Sequence, residues 1–316
     1  MSSQQPSDQT LPPPPRGVLC LGETLVDLVC ERQLQEDGEL GQEDAFVPHF
    51  GGAIGNAAVI AARAGAQVAL AGGAGEDRWG RWLRRRLEEA GVDTEHFILL
   101  NGAQTPIALA TVDGAGEASY SIYGAGIEPI LTALGERVRS AVESFGALMI
   151  GSNTLVGQPE REVTMAAREH ALSLGRQLVF DPNLRLGRWR SAADAQASAN
   201  ACVPGALLVR ASLAEARLMT GEHDAERAAA ALVKAGARLV VISLGAEGAM
   251  LRGELRADAA GVRAQVRSTI GAGDALTGTL LAALERSGFY APAVAAALED
   301  AVAAGARACE RWGAVD

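Results

Sequence analysis

The chain has 316 residues, 48% hydrophobic, 21% charged and 4% aromatic, which is the balance of a folded protein with a sizeable core and not of a disordered one. At ~100–200 residues per domain that length makes one large domain or two medium ones. The 38 acidic against 28 basic residues leave a formal net charge of −10, so the basic footprint of a nucleic-acid binder is missing and anionic membrane surfaces are poor partners.

Residues 1 to 16 carry five prolines and no apolar periodicity and are expected to form a disordered leader outside the core. They do not form a charged-then-apolar export signal. No uncharged apolar run in the chain reaches the ~18–20 residues of a membrane span, so a cytoplasmic protein is expected. From Gly17 to Asp316 a single domain is expected. Short apolar runs at Val18–Leu21, Val68–Ala71, Ala147–Ile150, Leu178–Phe180, Leu207–Val209 and Leu239–Ile242 predict strands. They alternate with helical spacing at Asp77–Ala90, Glu160–Ser173, Leu213–Met219 and Gly273–Glu285. This rhythm predicts an α/β fold whose mostly parallel central sheet carries helices on both faces.

Residues of about 24–50 and 106–123 break the rhythm. Period-two stretches around glycine-rich turns, with no helix between, predict a small antiparallel sheet projecting from the main body as a lid. Phe289 to Asp316 reads as one Ala-rich helix and a short tail. Cys20, Cys30, Cys202 and Cys309 form no C-x-x-C pair, and His49, His96, His170 and His223 form no zinc-binding spacing, so inert thiols and a zinc-free protein are expected. The tryptophans Trp79, Trp82, Trp189 and Trp312 read as packing residues. Lys234 is the only lysine.

The most informative stretch runs from Ser268 to Leu284, where Gly271-Ala272-Gly273-Asp274 precedes a strong amphipathic helix. A helix N-terminus offers free N–H groups and a positive dipole end, and glycines let an anion approach them. This is neither a Walker A loop nor a G-x-G-x-x-G fingerprint, because no G-K-[ST] follows and Leu276 stands where a third glycine belongs. A carboxylate in such a site repels phosphate unless it has work there, and accepting a proton from an attacking hydroxyl is that work. The commoner reason for a Gly-Asp before a helix is N-capping, and both readings stand at this point. A second segment, Gly51-Gly52-Ala-Ile-Gly-Asn56, opens another helix with an amide that suits neutral hydroxyls, and Asp27 at a strand end could accept from vicinal hydroxyls.

Taken in order, Gly22 to Asp27, Gly51-Gly52 to Asn56, Gly72 to Gly80, Asp181-Pro-Asn-Leu-Arg185 and Gly271-Ala-Gly-Asp274 resemble the ribokinase-type (PfkB) carbohydrate kinases. The resemblance runs from about Gly17 to Gly313. It implies a ribokinase-like fold with a β lid, ATP and Mg2+, and a small sugar as acceptor. Asp274 then becomes the general base, and the backbone of Gly271, Ala272 and Gly273 an anion hole. Asp27, Gly51, Gly52, Asn56 and Arg185 fall on acceptor-binding positions. Ser243, Gly245, Gly248, Thr269, Gly271, Gly273, Ala304 and Ala308 fall on nucleotide-binding ones, and Glu215 on the metal position.

The wording departs from that pattern in three places. Ser212-Leu-Ala-Glu215 replaces Asn-x-x-Glu, Ser268-Thr-Ile replaces Asp-Thr-Thr or Asp-Thr-Val near the activating K+, and Ile122-Tyr123-Gly124 replaces the lid's Phe/Tyr-Tyr-Arg. Without the lid arginine, a neutral ketose such as fructose is the expected acceptor. The alternatives are a sugar acid such as 2-keto-3-deoxygluconate, or a non-catalytic relative that only binds sugar and nucleotide. An exposed lid edge also offers a route to a homodimer through paired lids.

Overall fold

A computed structural model describes residues 15–34, 40–42, 44–124 and 126–315. The expected leader, apart from Pro15 and Arg16, lies outside the described residues, as does Asp316. In chain order the elements are β1 (Val18–Leu21), β2 (Leu25–Leu34), β3 (Phe46–Gly51), α1 (Ala53–Arg63), β4 (Val68–Gly75), α2 (Arg78–Glu89), β5 (Phe97–Leu100), β6 (Ile107–Asp113) and β7 (Ala118–Tyr123). They continue with α3 (Glu128–Leu134), α4 (Glu136–Glu143), β8 (Ala147–Gly151), α5 (Gln158–Ser173), β9 (Gln177–Asp181), α6 (Ala192–Asn200), β10 (Leu208–Ser212), α7 (Leu213–Thr220) and α8 (Ala225–Lys234). Last come β11 (Leu239–Ser243), β12 (Gly248–Gly253), β13 (Ala257–Ala260), α9 (Ala272–Arg286), α10 (Pro292–Ala296) and α11 (Leu298–Ala308).

The large sheet has nine strands in the order β13-β12-β11-β10-β9-β8-β1-β4-β5. All neighbours are parallel except the β11–β12 and β12–β13 pairs, which add an antiparallel edge that the apolar pattern did not foretell. β1 shows why the sheet is central. Its four residues are fully buried, Val18 and Cys20 against the layer of α1, α2, α9 and α11, Leu19 and Leu21 against the layer of α3 to α8. A strand covered on both faces must be apolar throughout rather than alternating.

The smaller sheet has the order β3-β2-β6-β7. The expected lid is therefore present, but it is mixed rather than antiparallel, because β2 pairs with β6 in parallel. Between those strands the chain returns through α1, β4, α2 and β5, and such a crossover lets β6 re-enter in the direction of β2. Gln33 ties this sheet to the body through its amide, which donates to the carbonyls of Val266 (3.1 Å) and Arg267 (3.0 Å).

The C-terminal stretch also differs from expectation, since it forms two helices instead of one. Pro292 starts the short α10, whose Val294 is buried, and the chain breaks at Ala297 before α11 runs along α9. All four cysteines are free, and burial pushes the Cys202 thiol up to about 12. No helix of the described residues is long and apolar enough to cross a membrane.

Helix α9 is held to α1 at Gly278, where a Cβ would come within 2.7 Å of Ile60 Cβ and 2.8 Å of the Ala57 carbonyl oxygen. Alanine would improve helix propensity by about 1 kcal/mol, but overpacking against a backbone oxygen costs ~1–3 kcal/mol. Gly278→Ala is therefore expected to lower stability, read as a reduced urea midpoint at unchanged m-value.

Candidate functional site

The strand order reverses at β1, which lies between β4 and β8. In open α/β sheets a ligand crevice forms beyond the strand ends at such a reversal. Here the ends of β1, β8, β9 and β10, the lid and the start of α9 enclose a cleft of about 870 Å³.

Gly271 caps α9 with φ +77, a left-handed conformation that glycine adopts without strain, and a Cβ there would lie 2.4 Å from Ala314 Cβ. Counting from that cap, Asp274 is the third residue inside the helix, and no side chain caps the helix. The capping reading of Gly-Asp is thus ruled out. The Asp274 carboxylate is buried, with Asn56 Nδ2 donating to Oδ2 at 2.7 Å and Asn183 Nδ2 reaching Oδ1 at 3.4 Å. Burial raises its pKa above the ordinary aspartate value; the Asn56 hydrogen bond and the charges of Arg185 and Arg210 oppose the rise, and Glu23 adds to it. Asp181, at the end of β9, is pushed up to about 6, mainly by burial against the opposing pull of Arg210.

At the other end of the cleft, Gly52 precedes α1 with φ +97, in contact distance of the Glu23 carbonyl for any added Cβ (2.6 Å). Glu23 Oε1 accepts from Ala53 N (3.1 Å) and Asn153 Nδ2 (2.9 Å), and Asn153 Oδ1 accepts from Arg188 Nη1 (3.1 Å). Asp27, on β2, lines the same wall. Gly51 does not line it but lies behind Asp27, where a Cβ would stand 2.3 Å from Oδ2.

Arg185 lines the cleft and stacks on the Tyr120 ring of the lid, 5.5 Å from its centroid. Thr269 donates through Oγ1 to the lid's Glu117 Oε2 (3.2 Å). Glu215 is drawn inward by a reciprocal capping box: Oε2 accepts from Ser212 N (2.8 Å) and Ser212 Oγ (2.7 Å), while Oε1 accepts from Leu184 N (2.7 Å). With those bonds made, Glu215 suits an ion that keeps its own waters rather than one bound directly. Among the described residues no group of three or more His, Cys, Asp or Glu could hold a metal.

Of the residues singled out from sequence, Asp27, Gly52, Asn56, Arg185, Glu215, Thr269, Gly271, Gly273 and Asp274 line one cleft. Ala272, Ser243, Gly245, Gly248, Ala304 and Ala308 do not. Ser243 instead accepts from Arg210 Nη2 (3.0 Å), Gly245 and Gly248 shape the turn into β12, and Ala304 and Ala308 belong to α11 beside α9. Sequence reasoning missed Glu23, Asn153, Asn183, Arg188 and Arg210, all of which line the cleft. Asn183 lay inside a motif already noted, and its φ of +39 marks a constrained backbone. Arg210 left a fainter signal, a charge at the end of the apolar run Leu207–Val209.

Residues 16–316 match the pfkB family of carbohydrate kinases. The chain is 30% identical over 266 residues to Fructokinase-1 of Oryza sativa subsp. japonica, covering 84% of this chain and 81% of the relative. Its structure is similar to that of fructokinase from Vibrio cholerae O395 with fructose, ADP and calcium ion bound, with TM-score 0.81, 28% identity and coverage of 95% and 94%. It is also similar to aminoimidazole riboside kinase from Salmonella enterica complexed with aminoimidazole riboside and an ATP analog, with TM-score 0.79, 25% identity and coverage of 95% for each chain.

The raised pKa of Asp274 carries a stability consequence. A carboxyl whose folded pKa exceeds its unfolded value supports the fold below the unfolded pKa and loses that support as pH rises through the folded one. Asp274→Asn removes the ionisable group, so its Tm should exceed that of the parent at pH 8, with the gap closing as both are measured toward pH 4. An unchanged gap across that range would contradict the burial argument.

Proposed function

The chain belongs to the pfkB family of carbohydrate kinases, and on that premise we propose that it moves the γ-phosphoryl group of ATP to a primary hydroxyl of fructose or a similar ketose. The observation that carries this reading is the buried Asp274 carboxylate in the first turn of α9, in one cleft with Asp27 and Asn56. Asp274 accepts the hydroxyl proton as the acceptor oxygen attacks phosphorus in line. N–H groups at the start of α9 meet the growing negative charge, and Arg185, parked on Tyr120, neutralises phosphate from the lid side. Asp27, Asn56 and the Gly52 backbone hold the sugar hydroxyls. Positioning and charge stabilisation supply most of the rate, since phosphoryl transfer asks for little covalent work.

Glu215, fixed by Ser212, would order the waters of a Mg2+ ion bound with the nucleotide, and such an ion would supply charge neutralisation on the phosphates. Ser268 is fully buried, and its Oγ is engaged by the Ile270 N–H at 3.0 Å. With no carboxylate at that position, activation by K+ should be weak. Adding KCl to enzyme in potassium-free buffer is expected to leave the rate nearly constant, and a several-fold rise would contradict the role given to Ser268.

The fructokinase names among the relatives and the neutral hydrogen-bonding groups around Asn56 favour a neutral ketose. One observation favours a second reading. The absence of an arginine at Gly124 argues against a charged acceptor, yet Arg188 lines the same cleft, its side chain donating among the described residues to the neutral amide of Asn153. An uncommitted guanidinium there suits the carboxylate of a sugar acid.

Two measurements test these readings. Asp274→Asn should lower kcat by ~10²- to 10⁴-fold with little change in ATP affinity, because it removes only the base; retention of most of kcat would refute the role. Wild-type kcat/KM should favour fructose over 2-keto-3-deoxygluconate. A tenfold preference for the acid, about 1.4 kcal/mol, that disappears in Arg188→Leu would establish the second reading instead.

A further inference from the structure

Arg210 is the one charged side chain of β10, a central strand, and its position needs a reason. It projects on the α9 side of the sheet between strand neighbours that are apolar and fully buried: Leu208 precedes it on the same face, and Val241 is its register partner on β11. Only 5% of Arg210 is exposed. A charge in such a place costs several kcal/mol unless excellent geometry repays it, and an apolar residue of similar volume would serve packing as well or better.

The geometry of a purely structural ion pair is absent. Arg210 Nη1 stands 3.5 Å from Asp181 Oδ2, where a bidentate arginine–carboxylate fork brings two bonds to ~2.7–2.9 Å. That Asp181 oxygen takes its short bond from Thr277 Oγ1 at 2.5 Å instead. Nη2 donates to Ser243 Oγ at 3.0 Å, and Nε is buried with no partner among the described residues. Of the five N–H donors of a guanidinium, most remain unspent.

The unspent edge faces the start of α9. A Cβ on Gly273 would lie 2.8 Å from Nη1 and 2.9 Å from Nη2, and both Gly273 and Arg210 line the cleft beside Asp274. A buried, underpaired cation therefore sits under the backbone N–H groups of a helix start, two positive features converging on one anion-sized place. Asp181, Thr277 and Ser243 hold it there without consuming it.

We infer that Arg210 is a catalytic residue of the phosphoryl transfer, donating from beneath Gly273 to the oxygens of the group in flight. The inference rests on the kinase reading given above. In the step, the acceptor oxygen bonds to the γ-phosphorus as its proton passes to Asp274. The bond from that phosphorus to the β,γ-bridging oxygen breaks, and its electron pair leaves with ADP. Negative charge builds on the β,γ-bridging oxygen during this exchange, and a fixed guanidinium that reaches that oxygen as well as the phosphoryl group matches the charge better at the transition state than before it. Arg185, by contrast, follows β9 and stacks on the lid's Tyr120.

The test compares wild type, Arg210→Met and Arg210→Lys in sugar-dependent ADP release, with direct titration of Mg-ADP in the presence and absence of aluminium fluoride and sugar. Arg210→Met should lose ~10²–10³-fold in kcat, with KM for sugar and affinity for Mg-ADP nearly unchanged. Its extra affinity for the fluoride complex should fall in parallel, and Arg210→Lys should recover at least ~10-fold of kcat. A folded Arg210→Met that keeps its kcat overturns the inference. So does one whose kcat falls while fluoride-complex affinity stays at the wild-type level and lysine gives no rescue, the pattern of a structural role. If Arg210→Met fails to fold, Arg210→Gln, still able to bond Ser243, carries the same readouts. A wild type with no sugar-dependent ADP release defeats the kinase reading itself, which these variants leave untouched.

Discussion

The Asp274 carboxylate sits where burial raises its pKa above that of an ordinary aspartate while its polar and charged neighbours oppose the rise. Burial is the largest of these influences. Asn56, Arg185 and Arg210 pull in the other direction, and each comes from a different part of the chain: α1, the loop after β9, and β10. The requirement that these groups meet at the first turn of α9 explains the close packing of α1 on α9, the left-handed entry at Gly271, and the need for no side chain at Gly273, where the Arg210 guanidinium occupies the space.

The doubly covered sheet makes that meeting reproducible. Parallel strands deliver their carboxyl ends to one edge of the sheet, and the reversal at β1 opens a gap between the two helical layers there. Glu23 leaves β1, Asn153 follows β8, Asn183 and Arg185 follow β9, and Ser212 closes β10, so five functional side chains depend on four strand ends in register. Stiff parallel pairing holds them, while the lid, tied to the body through Gln33 and Thr269, contributes Tyr120 and Glu117 from above.

Part of the positive charge of the cleft comes from the body of the protein. The lid turn carries Gly124 in place of an arginine, and the guanidinium groups come instead from the rigid body, Arg188 by way of Asn153 and Arg210 by way of Asp181 and Ser243. A cation fixed to the scaffold needs no movement of the small sheet to reach the cleft. Ser212 fits the same economy. It lacks the amide of the usual asparagine, but its capping box fixes Glu215 at the rim of the cleft.

How much of this was legible depended on distance along the chain. The strand–helix rhythm, the lid segments and the Gly271-Ala-Gly-Asp274 turn are local, because an apolar run, a period of two and glycines before a helix each express their physics within a few residues. The parallel pairing of β2 with β6 was not legible, since both segments have the same alternation whichever way they run. The break at Ala297 was equally hidden within a run of alanines that suits one helix or two.

The sequence by itself determined the fold class, the glycine-rich helix start and the presence of a carboxylate in it, as these are properties of short windows. Tertiary structure decided that Asp274 is a buried carboxylate in the cleft and not a helix cap, because its partner Asn56 lies 218 residues away. It also decided which arginines matter. Arg188 and Arg210 look in sequence like surface and strand charges, and only in the folded chain do they lie against Gly126 and Gly273 and line the cleft. Side-chain chemistry is written locally, but the dielectric around it and the charges it faces belong to residues the chain brings together only on folding.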